Sequence, residues 1–253
     1  MGARLVLVGR DRKRGEATLK DLARQGVTAK IHYADLSLLS DMKRVAGEIA
    51  AAEPRIDVLI NCAGAAFSPR QVTPDGIERT FALNHLAYFV LSNMLLERLK
   101  TGAPSRIVNV ASDAHRREKL DFSDLQYEKH YRDYRAYGRS KLANILFTRE
   151  LARKLAGTGV TANAMHPGFV RTRIGDNIGG YRSALFGLAK LATARSVEKG
   201  AETIVYLASS PDVAKVSGEY FFDLKPHRPT AAAQNDEDAR RLWQESVRLT
   251  GVG

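Results

Sequence analysis

Only one cysteine, Cys62, occurs in the sequence, so no intrachain disulfide and no cysteine-rich metal centre can form, and a reducing cytoplasmic location is the expectation. No apolar run approaches the roughly 18 residues of a membrane span, and no signal peptide opens the chain. Internal repeats and low-complexity tracts are missing as well, which excludes solenoids and disordered arrays. Acids are scarce beside bases, 28 against 39, for a net charge of +11. That balance raises the question of a nucleic-acid partner. The bases, however, are interleaved with acids, as in Asp11-Arg12-Lys13-Arg14 and Arg116-Arg117-Glu118-Lys119. Such mixing describes a solvated surface that attracts small anions, and no nucleic-acid partner is expected. His85, His115 and His166 have no metal-ligand spacing, and they read as structural or surface residues, with no metal expected.

What is present reads as one domain spanning residues 1–253, with 44% hydrophobic residues to fill a sizeable core. Short β-branched runs alternate with long amphipathic segments. Strands are predicted at Arg4-Leu5-Val6-Leu7-Val8, Val27 to Tyr33, Ile56 to Ile60, Arg106 to Val110, Val160 to Met165 and Glu219 to Phe222. Helices are predicted from Arg12 to Gln25, from a Ser37 cap to Glu53, from Thr73-Pro74-Asp75 to Lys100, around Tyr137, from Ser196 to Ala208, and from an Asn235 cap past Trp243. Residues 174–194 read as a mobile flap, and Pro226-His227-Arg228-Pro229 as a linker. The alternation calls for an α/β fold with a parallel sheet covered on both faces. Ligands bind such sheets outside the carboxyl ends of the strands. The unusual residue groups all fall there: Gly9-Arg10, Asp35-Leu36, Asn61-Cys62-Ala63-Gly64, Ser112 and Pro167-Gly168.

One stretch has chemistry of its own. Tyr137 and Lys141 are four residues apart in a helical segment and share a face. A free tyrosine titrates near pH 10, so acid–base work at neutral pH needs a shift of roughly 3 units, about 4 kcal/mol. A lysine charge about 4 Å away, at an effective dielectric near 20, supplies on the order of that amount. The spacing alone is common, and it gains meaning from the residues around it.

Taken together, Asn61-Cys62-Ala63-Gly64, Asn84 within Ala82-Leu83-Asn84-His85, Ser112, and Tyr137 with Lys141 resemble the short-chain dehydrogenase/reductase family over essentially the whole chain. Ser140-Lys141-Leu142-Ala143-Asn144, Met165-His166-Pro167-Gly168 and the late Leu242-Trp243 are similar to its retinol-dehydrogenase-like branch. The resemblance implies a Rossmann-like doubly wound sheet and hydride transfer between a nicotinamide and the carbonyl or alcohol carbon of a small lipophilic substrate. It implies Asn84, Ser112, Tyr137 and Lys141 as the catalytic set. Tyr137 would be the proton carrier, Lys141 its tuner and a ribose ligand, Ser112 a donor to the substrate oxygen, and Asn84 the anchor of a water. It implies cofactor contacts from Arg10, Asp35, Leu36, Asn61, Ala63, Gly64, Tyr137, Lys141, Pro167, Gly168, Val170 and Thr172. A homo-oligomer is compatible with it. Gly9 stands at the end of the first strand, where an NAD enzyme carries an acid, and Arg10 follows it, which points to NADP, with NAD as the alternative.

The chain departs from the family at one place. No Thr-Gly-x-x-x-Gly-x-Gly turn, whose amides and helix N-terminus hold a pyrophosphate, occurs anywhere. Arg4 to Val8 corresponds to the family's second strand, so about 30 residues of strand and helix are absent and the chain reads as N-terminally shortened. The alternative is a non-catalytic dehydrogenase-like protein that no longer binds cofactor.

Overall fold

The computed structural model describes residues 2–170 and 195–253. The predicted flap and Thr172 lie outside the described residues. In chain order the elements are β1 (Leu5–Gly9), α1 (Arg12–Arg24), β2 (Ala29–Tyr33), α2 (Leu39–Ala52) and β3 (Val58–Asn61). There follow α3 (Arg79–Phe81), a π-helical turn (Ala82–Leu86), α4 (Ala87–Met94), α5 (Leu96–Thr101), β4 (Ser105–Val110) and α6 (Asp133–Lys154). The chain then forms β5 (Val160–Met165), α7 (Val197–Ser209), β6 (Tyr220–Phe222), β7 (Lys225–Pro226) and α8 (Asp236–Thr250).

β1 pairs with β2, and β3, β4, β5 and β6 pair in that order, all parallel; β7 adds an antiparallel edge. Parallel neighbours need crossover helices, and the helices lie on the sheet's faces. The larger core joins α2, α4, α6 and α8 to one side of the strands, through Met42, Phe89, Leu142 and Leu242 among others. A smaller cluster of Val108, Val110, Met165 and Phe221 packs beneath Leu207 of α7 on the other side. This is the Rossmann-like doubly wound architecture.

The sheet is in two pieces. β1 and β3 are not hydrogen-bonded to each other, so a seam separates the pair β2-β1 from the five strands β3 to β7. Ile60 of β3 is 45% exposed beside the seam. The pieces are joined by other means. α2 shares one core with α4. The Leu39 amide at the start of α2 donates to Asp75 Oδ2 at 3.1 Å, and Arg79 Nη2 reaches Asp35 at 3.3 Å. The buried Glu53 carboxylate takes Arg4 and, at 3.3 Å, Lys30.

Two local expectations hold: Ser196 starts α7 and Asn235 caps α8, each through its side chain, and Asp11 does the same for α1. Others are corrected. Ser37 does not cap α2, because its hydroxyl donates to Asp35 Oδ1 at 2.7 Å and the helix takes its donor's partner from Asp75 instead. Thr73-Pro74-Asp75 opens no helix: with Gly76 at φ +76° it forms a tight turn in which the Gly76 amide donates to the Thr73 carbonyl at 2.9 Å. The helix starts at Arg79, where the Glu78 carboxylate accepts from the Thr80 and Phe81 amides at 2.8 and 2.7 Å. The segment read as a linker begins with β7, because Asp223 and Leu224 both adopt positive φ, 49° and 65°, and reverse the chain onto β6.

Candidate active site

The four residues Asn84, Ser112, Tyr137 and Lys141 come from three elements and meet at the carboxyl ends of β3, β4 and β5. α6 supplies Tyr137 and Lys141 from a 22-residue helix with Ala136, Tyr137, Ser140 and Lys141 all buried. Gly138 explains how closely α6 can approach: a Cβ there would come 2.8 Å from Glu118 Cγ and 2.9 Å from the Ala114 carbonyl oxygen. A glycine in mid-helix, poor for the helix itself, lets Tyr137 sit against the turn that follows Ser112. Ser112, two residues beyond β4, is in an extended conformation and its Oγ accepts from the Ala114 amide at 3.2 Å.

Burial sets the electrostatics. It pushes the Tyr137 phenol up to about 12, against a hydrogen bond from Ser112 that pulls it down. It takes the Lys141 ammonium down to about 8. Lys141 Nζ donates to the Val110 carbonyl at 2.9 Å and stands 5.7 Å from the Tyr137 ring centre and 5.4 Å from that of Tyr88. The expected lowering of Tyr137 by Lys141 is therefore not what the geometry delivers: the cation is committed to a backbone oxygen, and desolvation of the phenol outweighs it.

Asn84 lies in the π turn, fully buried, and its amide clamps the backbone of Ala65: Oδ1 accepts from the amide and Nδ2 donates to the carbonyl, both at 2.9 Å. Nδ2 also reaches Ser140 Oγ at 2.9 Å, and that hydroxyl donates to the Tyr137 carbonyl at 2.7 Å. The clamp holds Gly64 so close that a Cβ there would stand 3.2 Å from Lys141 Nζ. Ala63 is fixed through its carbonyl, which accepts from the Tyr88 hydroxyl at 2.8 Å.

The remaining expected cofactor residues divide. Arg10, at the end of β1, projects to solvent and lies 3.5 Å from Asp35. Asp35 itself is engaged with the Ser37 amide, the Ser37 hydroxyl and Arg79. Leu36 is a core residue. The Asn61 side chain is buried and donates to Ser92 Oγ at 3.0 Å and Asn109 Oδ1 at 2.8 Å, tying β3 to α4 and β4. Cys62 is exposed. Pro167 and Gly168 leave β5 in a turn with Gly168 at φ +77°, and Val170 forms a bridge with Arg195 while packing beneath Gly200. Tyr88, Gly138 and Asn144 also shape the site. Gly138 was detectable as a glycine inside an otherwise strong helix and Asn144 as the end of the motif that starts at Ser140; Tyr88 had no signal apart from spacing on its helix.

The fit to a nicotinamide cofactor is graded along the edge. Gly64, without a side chain beside a buried ammonium, and the turn at Gly168 lie at the reactive end, with Arg10 at the other. Among the described residues no glycine-rich turn lies at the seam between them, where pyrophosphate oxygens need amide donors.

The sequence matches the short chain dehydrogenase family over residues 1–181. It is 42% identical to human retinol dehydrogenase 13 over 260 residues, 99% of this chain and 78% of that protein. A crystal structure of an uncharacterised Mycobacterium paratuberculosis protein superposes with a TM-score of 0.78 at 28% identity, covering 99% of this chain and 94% of that one. A blue fluorescent protein from a metagenomic library, solved in complex with NADPH, superposes with a TM-score of 0.66 at 27% identity, covering 87% and 85%. The chain belongs to the short-chain dehydrogenase family of oxidoreductases, whose members use a nicotinamide cofactor. Within that family it falls in the retinol-dehydrogenase-like branch. No helix among the described residues is long and apolar enough to cross a membrane.

Proposed function

We propose that the protein is an NADP-dependent oxidoreductase that reduces the carbonyl group of a small lipophilic aldehyde or ketone, with the reverse alcohol oxidation as the same reaction run backwards. The observation that carries this reading is the convergence of a buried phenol, a buried ammonium and the Ser112 hydroxyl at one strand edge. When bound, the cofactor supplies the hydride. Tyr137, held protonated by burial, is the group that donates a proton to the carbonyl oxygen as negative charge develops there. Ser112 orients that oxygen toward the phenol. Lys141 keeps a positive charge beside the developing phenolate, and it does so while it remains an ammonium, below about pH 8. Asn84 fixes the Gly64–Ala65 backbone next to Lys141, where glycine leaves no side chain to crowd the ammonium. The preference for NADP rests on Arg10, whose guanidinium can take a 2′-phosphate in a bidentate manner, with Asp35 as the competing partner. A lipophilic substrate is supported by the retinol dehydrogenase named above. The single cysteine supports a cytoplasmic protein, which subcellular fractionation checks.

The seam favours a second reading, a dehydrogenase-like protein that does not bind cofactor. One experiment separates the two. NADPH consumption is followed with retinal and with aromatic aldehydes, using residues 1–253 and the same chain with a strand, glycine-rich turn and helix fused ahead of Met1. The proposal expects NADPH-dependent reduction once the fused segment supplies the amide donors. Absence of NADPH binding in both forms supports the second reading and overturns the first.

A further inference from the structure

A second polar file runs behind the reacting pair. Asn144 lies one turn beyond Lys141 on α6 and is fully buried. Its Nδ2 donates to the Asn84 carbonyl at 2.8 Å and approaches the Val110 carbonyl, the acceptor of Lys141, at 3.5 Å. With the amide nitrogen turned to Asn84, Asn144 Oδ1 faces His85, whose Nδ1 is 3.4 Å away. His85 is also fully buried, and its Nε2 lies 2.9 Å from Ser246 Oγ on α8, 161 residues further along the chain.

Proton counting gives this file a direction. An amide oxygen only accepts, so Nδ1 must carry the ring proton. Burial takes His85 down to about 4, so the ring is neutral near pH 7 and its Nε2 is left as an acceptor. Ser246 therefore donates into the ring. The Leu242 carbonyl, 2.8 Å from Ser246 Oγ, is the competing acceptor. If Ser246 donates there instead, the ring's lone pair turns against the Asn144 oxygen, which is repulsive. The arrangement with all donors aligned runs Ser246 to His85 to Asn144 to the Asn84 carbonyl, and aligned hydrogen bonds polarise one another.

We propose that Asn144 is a positioning residue for the active site, held in orientation by His85 and by Ser246 of the C-terminal helix. Asn84 sits in a π turn, where the regular helical ladder is interrupted, and Asn144 gives its carbonyl a donor. Its own side chain, so fixed, grips Ala65 and sets the Gly64 backbone beside Lys141. The C-terminal helix thereby belongs to the site although none of its residues enters it. The inference rests on reading Tyr137 and Lys141 as the reacting pair.

Two measurements decide it. Nitrogen NMR of protein labelled with ¹⁵N-histidine is expected to show His85 as the Nδ1–H tautomer, unchanged between pH 8 and pH 5; the Nε2–H tautomer overturns the chain of donors. Ser246→Ala is expected to mix the tautomers and lower kcat about threefold to tenfold, with KM for aldehyde within about twofold. Asn144→Leu, close to isosteric, is expected to lower kcat more than tenfold with the same small change in KM. Unchanged kcat in both variants, or losses confined to KM and thermal stability, overturns the positioning role. An inactive parent protein fails the functional reading instead, and the tautomer still judges the hydrogen-bond chain.

Discussion

The two sides of the seam are built differently. On the side of β3 to β7, β4 and β5 are almost wholly buried and α6 hides 15 of its residues, including every member of the candidate set that it carries. On the other side, both strands are only half-buried throughout, and Gly15 is the single buried residue of α1. The first side holds Asn84, Ser112, Tyr137 and Lys141; the second holds Arg10 and Asp35. Chemistry that depends on displaced pKa values needs the dry, packed side. Recognition of a 2′-phosphate by a charged, mobile side chain is compatible with the wet one. The comparison also locates weakness. β1 and β3 present open parallel edges, and what ties the two pieces together is helix packing and a few polar links rather than a ladder.

The largest expected effect concerns that weakness. In residues 1–253, amide exchange of β1 and β3 should be faster than that of β4 and β5 by a factor of about 10³ or more, because open edges lack a ladder on one side. Fusing a strand and glycine-rich turn ahead of Met1 should close the gap and make thermal unfolding cooperative and NADPH-dependent. Equal protection across the seam in the unfused chain contradicts this. Next in size, Gly138→Ala drives a methyl against Glu118 and the Ala114 carbonyl. It should cost about 1–3 kcal/mol of stability and lower kcat by more than tenfold, a loss carried by the packed side alone. Arg10→Ala, on the wet side, should leave kcat and stability near the parent values and remove about tenfold of the NADPH-over-NADH preference in kcat/KM; an unchanged preference sinks the role of Arg10.

The smallest effect separates titration from unfolding. Lys141 has its pKa lowered from 10.5 to about 8 in the folded chain. Between those values the unfolded state binds more protons, so this group's contribution to stability rises with pH across the window. The reduction rate should fall as pH rises through about 8 while the melting temperature does not fall for this reason. A rate loss that tracks melting would assign the alkaline limb to unfolding.

Much of the packed side was readable in the sequence because its signals are local. Tyr137 and Lys141 declare themselves by a spacing of four, Ser196 and Asn235 by their capping chemistry, and the strands by β-branched runs. Signals that depend on partners far along the chain were not readable. Asp75 serves α2 from 36 residues away. Strand alternation turns the Asn61 side chain inward to Asn109, a partner that its place at a strand end does not announce. The sign of the Tyr137 shift was missed because a spacing reports neither desolvation nor the Val110 carbonyl that claims Lys141.

The most direct test of the account is Tyr137→Phe in the form of the protein that turns over. NADPH affinity is read by fluorescence titration and aldehyde reduction by NADPH consumption. The phenyl ring keeps the packing and removes only the proton carrier, so kcat should fall by about 10²–10⁴ with NADPH affinity unchanged within about twofold. A variant retaining more than about a tenth of the parent kcat would contradict the assignment of the proton to Tyr137, and with it the proposed reaction at this site.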